Sequence, residues 1–363
     1  MERQTGIVFK RPGSGGAARY VGALARWFDA PVHVLGETGD DVPNTWGDVT
    51  VEAFGRRPSL PLIGRRGVGA FLDRLEYAFW RPPADHDVVI SSGLVAKETV
   101  HRPGQTRIHL AHGFHRGAFG VPVRDGTSDR ATVAALQRAN RLLLRALEPR
   151  ALDRVDVLVA NSPFTADMIA HYHGIEADAV IAPPVAVDDF EVGDSGGPYL
   201  YLGNLAPYKG VRDIVEAFAD LPHELVVAGD GPLRDEIEAL AGDGVTVEGY
   251  VSEDRKRELL RDSSGLIQHS VNETFGVTTV EAFASGTPVI AIDRENNPHL
   301  VDDGVNGVLF DRRGPDAIRA AVERAETVDW DPRAIAETAA PYDADSCETR
   351  WRSLLDDAAS PRR

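Results

Sequence analysis

Short apolar runs alternate with amphipathic helical stretches along the whole of this 363-residue chain, and no other feature restricts its fold as tightly. Strand candidates are residues 5–10, 31–36, 87–91, 106–111, 155–160 and 179–184, then 198–203, 223–229, 245–249, 265–270 and 287–292. Between them, segments such as ARYVGALARWF, VRDIVEAFADL, PLRDEIEALA and DRKRELLRD repeat apolar residues every three to four positions. Strand–helix alternation builds parallel sheets through right-handed crossovers. The length argues for two such sheets, since single cores seldom grow beyond ~250–300 residues. The fold class expected is α/β, with two doubly wound Rossmann-like domains whose parallel sheets face each other across a cleft. The loop-like VAVDDFEVGDSGGP marks the division. Residues 1–185 then form one domain and 186–345 the other, while 346–363 form a helix crossing back to the first. Ligands of such folds bind beyond the carboxyl ends of the strands, so the cleft is the expected site.

Charge and cysteine content narrow the function classes. The formal net charge is −17, and the surplus acid lies almost wholly after residue 185, the first part being close to balanced and slightly basic. An acidic second half repels nucleic acid, which is excluded as a partner. Of 39 basic residues only Lys10, Lys97, Lys209 and Lys256 are lysines; a high-salt cytoplasm or a GC-rich genome each accounts for that bias. The single cysteine, Cys347, excludes an internal disulfide framework and a cysteine-built metal site. MERQTGIVFK lacks the apolar core of a signal peptide, and no run approaches the ~18–20 apolar residues of a membrane span. A cytoplasmic chain is expected, at most peripheral at the inner membrane face.

Several motifs carry chemistry. In HSVNETFGVTTVEAFASG, Gly276 stands between a strand and a helix whose first amides, on Val277, Thr278 and Thr279, offer a phosphate site. Glu281 falls a turn or more into that helix, where its carboxylate suits two vicinal hydroxyls, as on a ribose; Glu273, before the glycine, suits a second polyol. In YLGNLAPYKGVRDIVEAF, Lys209 opens a helix, where the dipole disfavours a cation unless an anion such as pyrophosphate is met. The turn PGSGGAARYVGALA satisfies G-x-G-x-x-A through Gly13, Gly15 and Ala18, with Glu37 after the next strand. Lys10-Arg11-Pro12 loosen that dinucleotide fingerprint, and a glycine loop that lets backbone approach a sugar or phosphate fits equally well. His109, His112 and His115 recur every three residues without a carboxylate or cysteine beside them. They read as one core histidine and polar positioners at a strand end rather than as metal ligands. Arg56, Arg57, Arg65, Arg66, Arg74 and Arg81, with Arg130, Arg138, Arg141, Arg145 and Arg150, make either solvated helix faces or a basic face for anionic lipid.

Taken in order, YLGNLAPYKG, VVAGDGPLRDEIEAL, VTVEGYVS, NETFGVTTVEAFASGTPVIA and DDGVNGVLF resemble the second domain of retaining glycosyltransferases of family 4, which have the GT-B fold. SGGAARYVGALA and VDVLVANSPFTADMIAHYHGIEADAVIAPPVAVDDF extend the resemblance over the first half. It implies transfer of a hexose, with retention, from a nucleotide-diphosphate sugar to a glycan or polyprenyl-linked acceptor, with no metal and no cofactor. It implies catalytic roles for Glu273, Lys209 and His112, and donor-sugar contacts from Thr274, Phe275 and Gly276. Val277 and Thr278 would then meet the phosphates, Glu281 the ribose, and Gly249, Tyr250 and Val251 the base, while Gly15 and Gly16 line the reaction centre. It also implies an acceptor-binding first domain and a donor-binding second domain; the basic arginine face, read from the residues themselves, would give the first domain a peripheral membrane contact. Two positions depart from the family: Asn204 stands where an arginine usually accompanies the lysine, and Pro298-His299 where an acid follows TPVIA. An isomerase or hydrolase of nucleotide sugars, or a weakened sugar-nucleotide binder, is the alternative expectation.

Overall fold

The computed structural model describes residues 4–10, 15–36, 46–55, 68–114, 142, 144–193 and 196–359. The chain divides into two compact units, Met1–Pro183 with Cys347–Arg363, and Pro184–Ser346. Each is built on a sheet in which every strand pair is parallel.

The first unit holds β1 (Thr5–Phe9), β2 (Val32–Leu35), β3 (Val51–Phe54), β4 (Val88–Ser92), β5 (Thr106–Ala111), β6 (Val157–Ala160) and β7 (Ala179–Val180). Their spatial order is β3-β2-β1-β4-β5-β6-β7. The second unit holds β8 (Tyr199–Leu202), β9 (Leu225–Ala228), β10 (Val245–Gly249), β11 (Gly265–Gln268), β12 (Val289–Ile292) and β13 (Gly307–Phe310), ordered β10-β9-β8-β11-β12-β13. The order reverses between β1 and β4 in one sheet and between β8 and β11 in the other, which is where doubly wound sheets open a crevice for ligands. Central strands are buried along their whole length and, Ser91 and Ser92 of β4 apart, read as continuous apolar runs because helices cover both faces. The sequence reading lacks β3 and β13 as strands; each has four residues, and β3 is an edge whose middle positions are exposed.

Helix ends follow local chemistry. Ser162 accepts the Thr165 amide at 3.0 Å ahead of a helix opened by Pro163 and closed by the left-handed Gly174. Ser252 does the same for Arg255 at 3.1 Å.

The last helix, Ala344–Ala359, begins in the second unit and packs on the first. Trp351 is fully buried there, in one core cluster with Tyr20, Leu24, Val159 and Ile181. Its indole N–H donates to the Tyr20 hydroxyl at 2.7 Å, and that hydroxyl donates to the Ile181 carbonyl at 2.9 Å. Truncating a fully buried tryptophan removes its packing and leaves a cavity, at ~3–5 kcal/mol. Trp351→Ala is therefore expected to lower unfolding stability by that amount in urea titrations; a loss under about 1 kcal/mol would separate the helix from this core.

Candidate active site

In the second unit the chemistry gathers beyond the carboxyl ends of β8, β11 and β12. After β8 the chain turns through Pro207–Lys209, and Gly210 follows at φ +68°. Glycine is required there on two counts: the conformation is left-handed, and a Cβ would lie 2.4 Å from the His269 ring. His269 is fully buried at the end of β11, with Nδ1 3.4 Å from both the Gly210 carbonyl and Asp213. Burial pushes its pKa below the ordinary value against the pull of those two neighbours. The Val271 amide donates to the Tyr208 carbonyl at 3.1 Å, so the β8 and β11 loops are tied together.

That tie brings Lys209 to Glu273. The ammonium donates to Glu273 Oε2 at 2.7 Å, and both side chains are about four-fifths buried. Burial draws the lysine pKa down, but Glu273, with Tyr208 and Glu295, outweighs it and leaves the pKa above its ordinary value. The loop then runs through Thr274 and the buried Phe275 to Gly276, at φ +105°, and the helix Val277–Ala284 begins. Gly276 has no side chain to cap this helix. Its carbonyl takes the amides of Thr279 and Val280, while those of Val277 and Thr278 have no acceptor within the helix. An uncapped helix start beside an ammonium can bind an anion.

Glu281 lies one turn further in, only 6% exposed, and its partner was not legible in the sequence. Lys256, on the helix Glu253–Asp262, reaches Glu281 Oε1 at 2.7 Å and Glu253 at the same distance. Burying a carboxylate is costly unless such a partner meets it. The scarcity of lysine was the available signal, and it applied to Lys256 as well as to Lys209. Glu295, whose carboxylate accepts the Glu273 amide, and Asn296, which donates to the Phe275 carbonyl at 2.7 Å, also escaped the sequence reading.

The remaining residues stand elsewhere. Asn204 is exposed, and its carbonyl accepts from the Tyr201 hydroxyl at 2.8 Å. Gly249 ends the edge strand β10, and Tyr250 and Val251 follow it; the Gly249 carbonyl accepts the Gly229 amide at 2.6 Å, and Tyr250 is 83% exposed. His112, Gly15 and Gly16 belong to the first unit. Gly15 precedes an uncapped helix, Gly16–Trp27, at φ −81°; a Cβ on it would meet nothing within 4 Å, so neither backbone nor neighbours demand glycine. His112, just past β5, has Nε2 2.8 Å from Ser92 Oγ at the end of β4, and the Tyr20 ring edge packs on it at 5.8 Å. Burial pushes its pKa down to about 4, so the imidazole is neutral near pH 7. His109 is buried against Ser91 and is the core histidine of its run. Among the described residues no group of three His, Cys, Asp or Glu could hold a metal. His115, Gly13 and Glu37 lie outside the described residues, as do Arg56, Arg57, Arg65, Arg66, Arg130, Arg138 and Arg141. One correction concerns the basic face: Arg74 is 7% exposed and paired with Glu98 at 3.1 Å, because its helix turns it inward. Arg81, Arg145 and Arg150 are exposed.

Comparison with known proteins defines the class. The fold is that of the GT-B glycosyltransferases: it resembles the lipopolysaccharide outer core galactosyltransferase WaaB (TM-score 0.72, 16% identity, 98% of this chain and 99% of that one). It also resembles HepE of Anabaena, solved with UDP and glucose (TM-score 0.70, 14% identity, 98% and 100%). Within that class the chain belongs to Glycosyltransferase Family 4, which matches residues 14–189, while residues 195–341 match the domain described as Glycosyl transferases group 1. A D-inositol 3-phosphate glycosyltransferase of Mycobacterium sp. (strain JLS) is 28% identical over 291 residues, 65% of this chain and 66% of that enzyme. The chain thus spans just under two-thirds of that relative's length. An alpha-D-kanosaminyltransferase of Streptomyces kanamyceticus is 30% identical over 155 residues, 40% of each chain.

Two outcomes follow from the charges. Lys256→Met strands a buried carboxylate and is expected to cost ~3–5 kcal/mol in urea titrations, whereas the double change with Glu281→Met recovers most of it. An additive double variant would contradict the pairing. Burial also lowers His33 and His101 from an ordinary 6.5 to about 4, and holds His109 well below 6.5. Between those values the unfolded chain binds protons that the folded chain refuses, so stability falls on acidification, by up to ~1.4 kcal/mol per pH unit for each well-buried histidine. The partly exposed His112 contributes less. Unfolding midpoints should drop from pH 7 to pH 5, less steeply in His33→Gln; a flat profile would refute this.

Proposed function

We propose that the chain is a retaining, metal-independent glycosyltransferase that moves a hexose from a nucleotide-diphosphate sugar to a glycan or lipid-linked glycan. The observation that carries this reading is the uncapped helix start at Val277, set between the Lys209–Glu273 pair and the buried Glu281.

In this reading Val277 and Thr278 hold the diphosphate through their amides, and Lys209 neutralises the charge that grows on it as the sugar leaves. Positive charge aimed at a developing anion in a half-buried site is a large catalytic term. Glu273 and the backbone of Thr274, Phe275 and Gly276 hold the sugar hydroxyls, Glu281 the ribose, and Gly249-Tyr250-Val251 the base. The neutral His112, with Gly15 and Gly16, serves the reacting sugar, and the first unit takes the acceptor. The departing phosphate leaves on the face the acceptor attacks and can take its proton, so no separate base residue is needed. Lysine and helix dipole supply the charge a metal would otherwise bring. HepE, solved with UDP and glucose, supports a nucleotide-sugar donor. The lipid-linked acceptor and a peripheral contact at the inner membrane face belong to the same proposal; among the described residues no helix is long and apolar enough to cross a membrane.

The exposed Asn204 favours a second reading, a weakened enzyme or a binder, because half of the expected positive clamp is an amide. One experiment addresses both. A panel of radiolabelled UDP, GDP and ADP sugars should show transfer by the wild type, with Lys209→Met lowering kcat by about 10²–10³-fold. Glu281→Gln should raise the donor KM. Sharply higher turnover in Asn204→Arg would mark a weakened enzyme; no transfer and no binding of any donor would sink the proposal.

A further inference from the structure

Glu295 and Asp29 are the non-glycine residues with positive φ among those described, and Glu295 stands at +58°. A side chain with a Cβ resists that conformation, and residues held in it collect at ligand clamps and active sites. Glu295 lies three residues beyond the carboxyl end of β12, half-buried, and its carboxylate accepts the Glu273 amide. Asn296, fully buried, grips the same loop at the Phe275 carbonyl.

Holding the loop explains Asn296 better than Glu295. Glycine at 295 would relieve the backbone, and a neutral amide could accept the same N–H. What glutamate adds is charge. Placed at the Glu273 amide, that charge adds to the pull on Lys209 of the Glu273 carboxylate, which meets the ammonium at 2.7 Å.

We propose that Glu295 is a specificity-determining residue: a second carboxylate at the sugar end of the site, which admits neutral or amino-bearing hexoses and turns away hexuronic acids. Carboxylates accept from sugar hydroxyls and attract an ammonium, whereas a uronate brings a like charge into a poorly solvated place. The inference rests on the reading of this loop as the donor-sugar site.

The test pairs UDP-glucose with UDP-glucuronate and GDP-mannose with GDP-mannuronate. Affinity by calorimetry and turnover are measured for the full-length wild type, Glu295→Gln and Glu295→Gly, with free UDP and GDP as controls. The wild type should prefer the neutral member by at least tenfold. Glu295→Gln, which keeps an acceptor for the Glu273 amide, should narrow that preference at least tenfold while leaving nucleotide affinity within twofold. Glu295→Gly should narrow it equally with no loss of melting temperature. An unchanged ratio, equal weakening of both members, or a wild-type preference for the uronate would overturn the role of Glu295 alone. A wild type that binds none of these sugars or nucleotides counts instead against the donor-site reading beneath it.

Discussion

Parallel pairing is the constraint on which the rest depends. Every strand pair in both sheets is parallel, so each connection leaves at the carboxyl end and returns by a crossover. Loops that need not cover the sheet accumulate at that end, and where the strand order reverses, adjacent loops part. Asn204, Lys209, Glu273 and Glu295 all occupy such loops in the second unit. Gly15 and His112 hold the corresponding position in the first.

Within the second unit the charges alternate. Glu295 faces the Glu273 amide, Glu273 faces Lys209, and a turn into the next helix Glu281 faces Lys256. None of these ions is fully solvated, and burying a charge is costly unless a neighbour pairs with it. The helix start between the two pairs carries free amides and the positive end of the dipole. A bound diphosphate would complete the pattern. This explains how a charged loop tolerates burial beside helix Val277–Ala284, whose other buried side chains are apolar apart from Thr279.

Legibility in the sequence followed the range of the physics. Alternating apolar runs revealed both sheets because strand burial is written into consecutive residues. The edge strand β3 was missed because its run VEAF is broken by a charge and its middle positions are exposed, whereas β13 was passed over although GVLF is as apolar as strands that were read. HSVNETFG and its helix were legible because a glycine followed by small apolar residues is a local signal. Lys256 was not, because EDRKRELLRD reads as a solvated face, and only packing turns one lysine toward Glu281. Arg74 reads equally as surface, yet its helix buries it against Glu98.

By itself, then, the amino-acid sequence determined the α/β alternation, the strand–loop–helix at Gly276 and the scarcity of lysine that singled out Lys209. Tertiary structure alone decided which charges meet: Lys209 with Glu273 across 64 residues, Lys256 with Glu281 across 25, and Glu295 with the Glu273 amide across 22. Propensity and periodicity act over a few residues, whereas an ion pair forms only where two separate loops or helices are packed to within hydrogen-bonding distance. The left-handed backbone of Glu295 has the same origin, since no local preference of glutamate leads there.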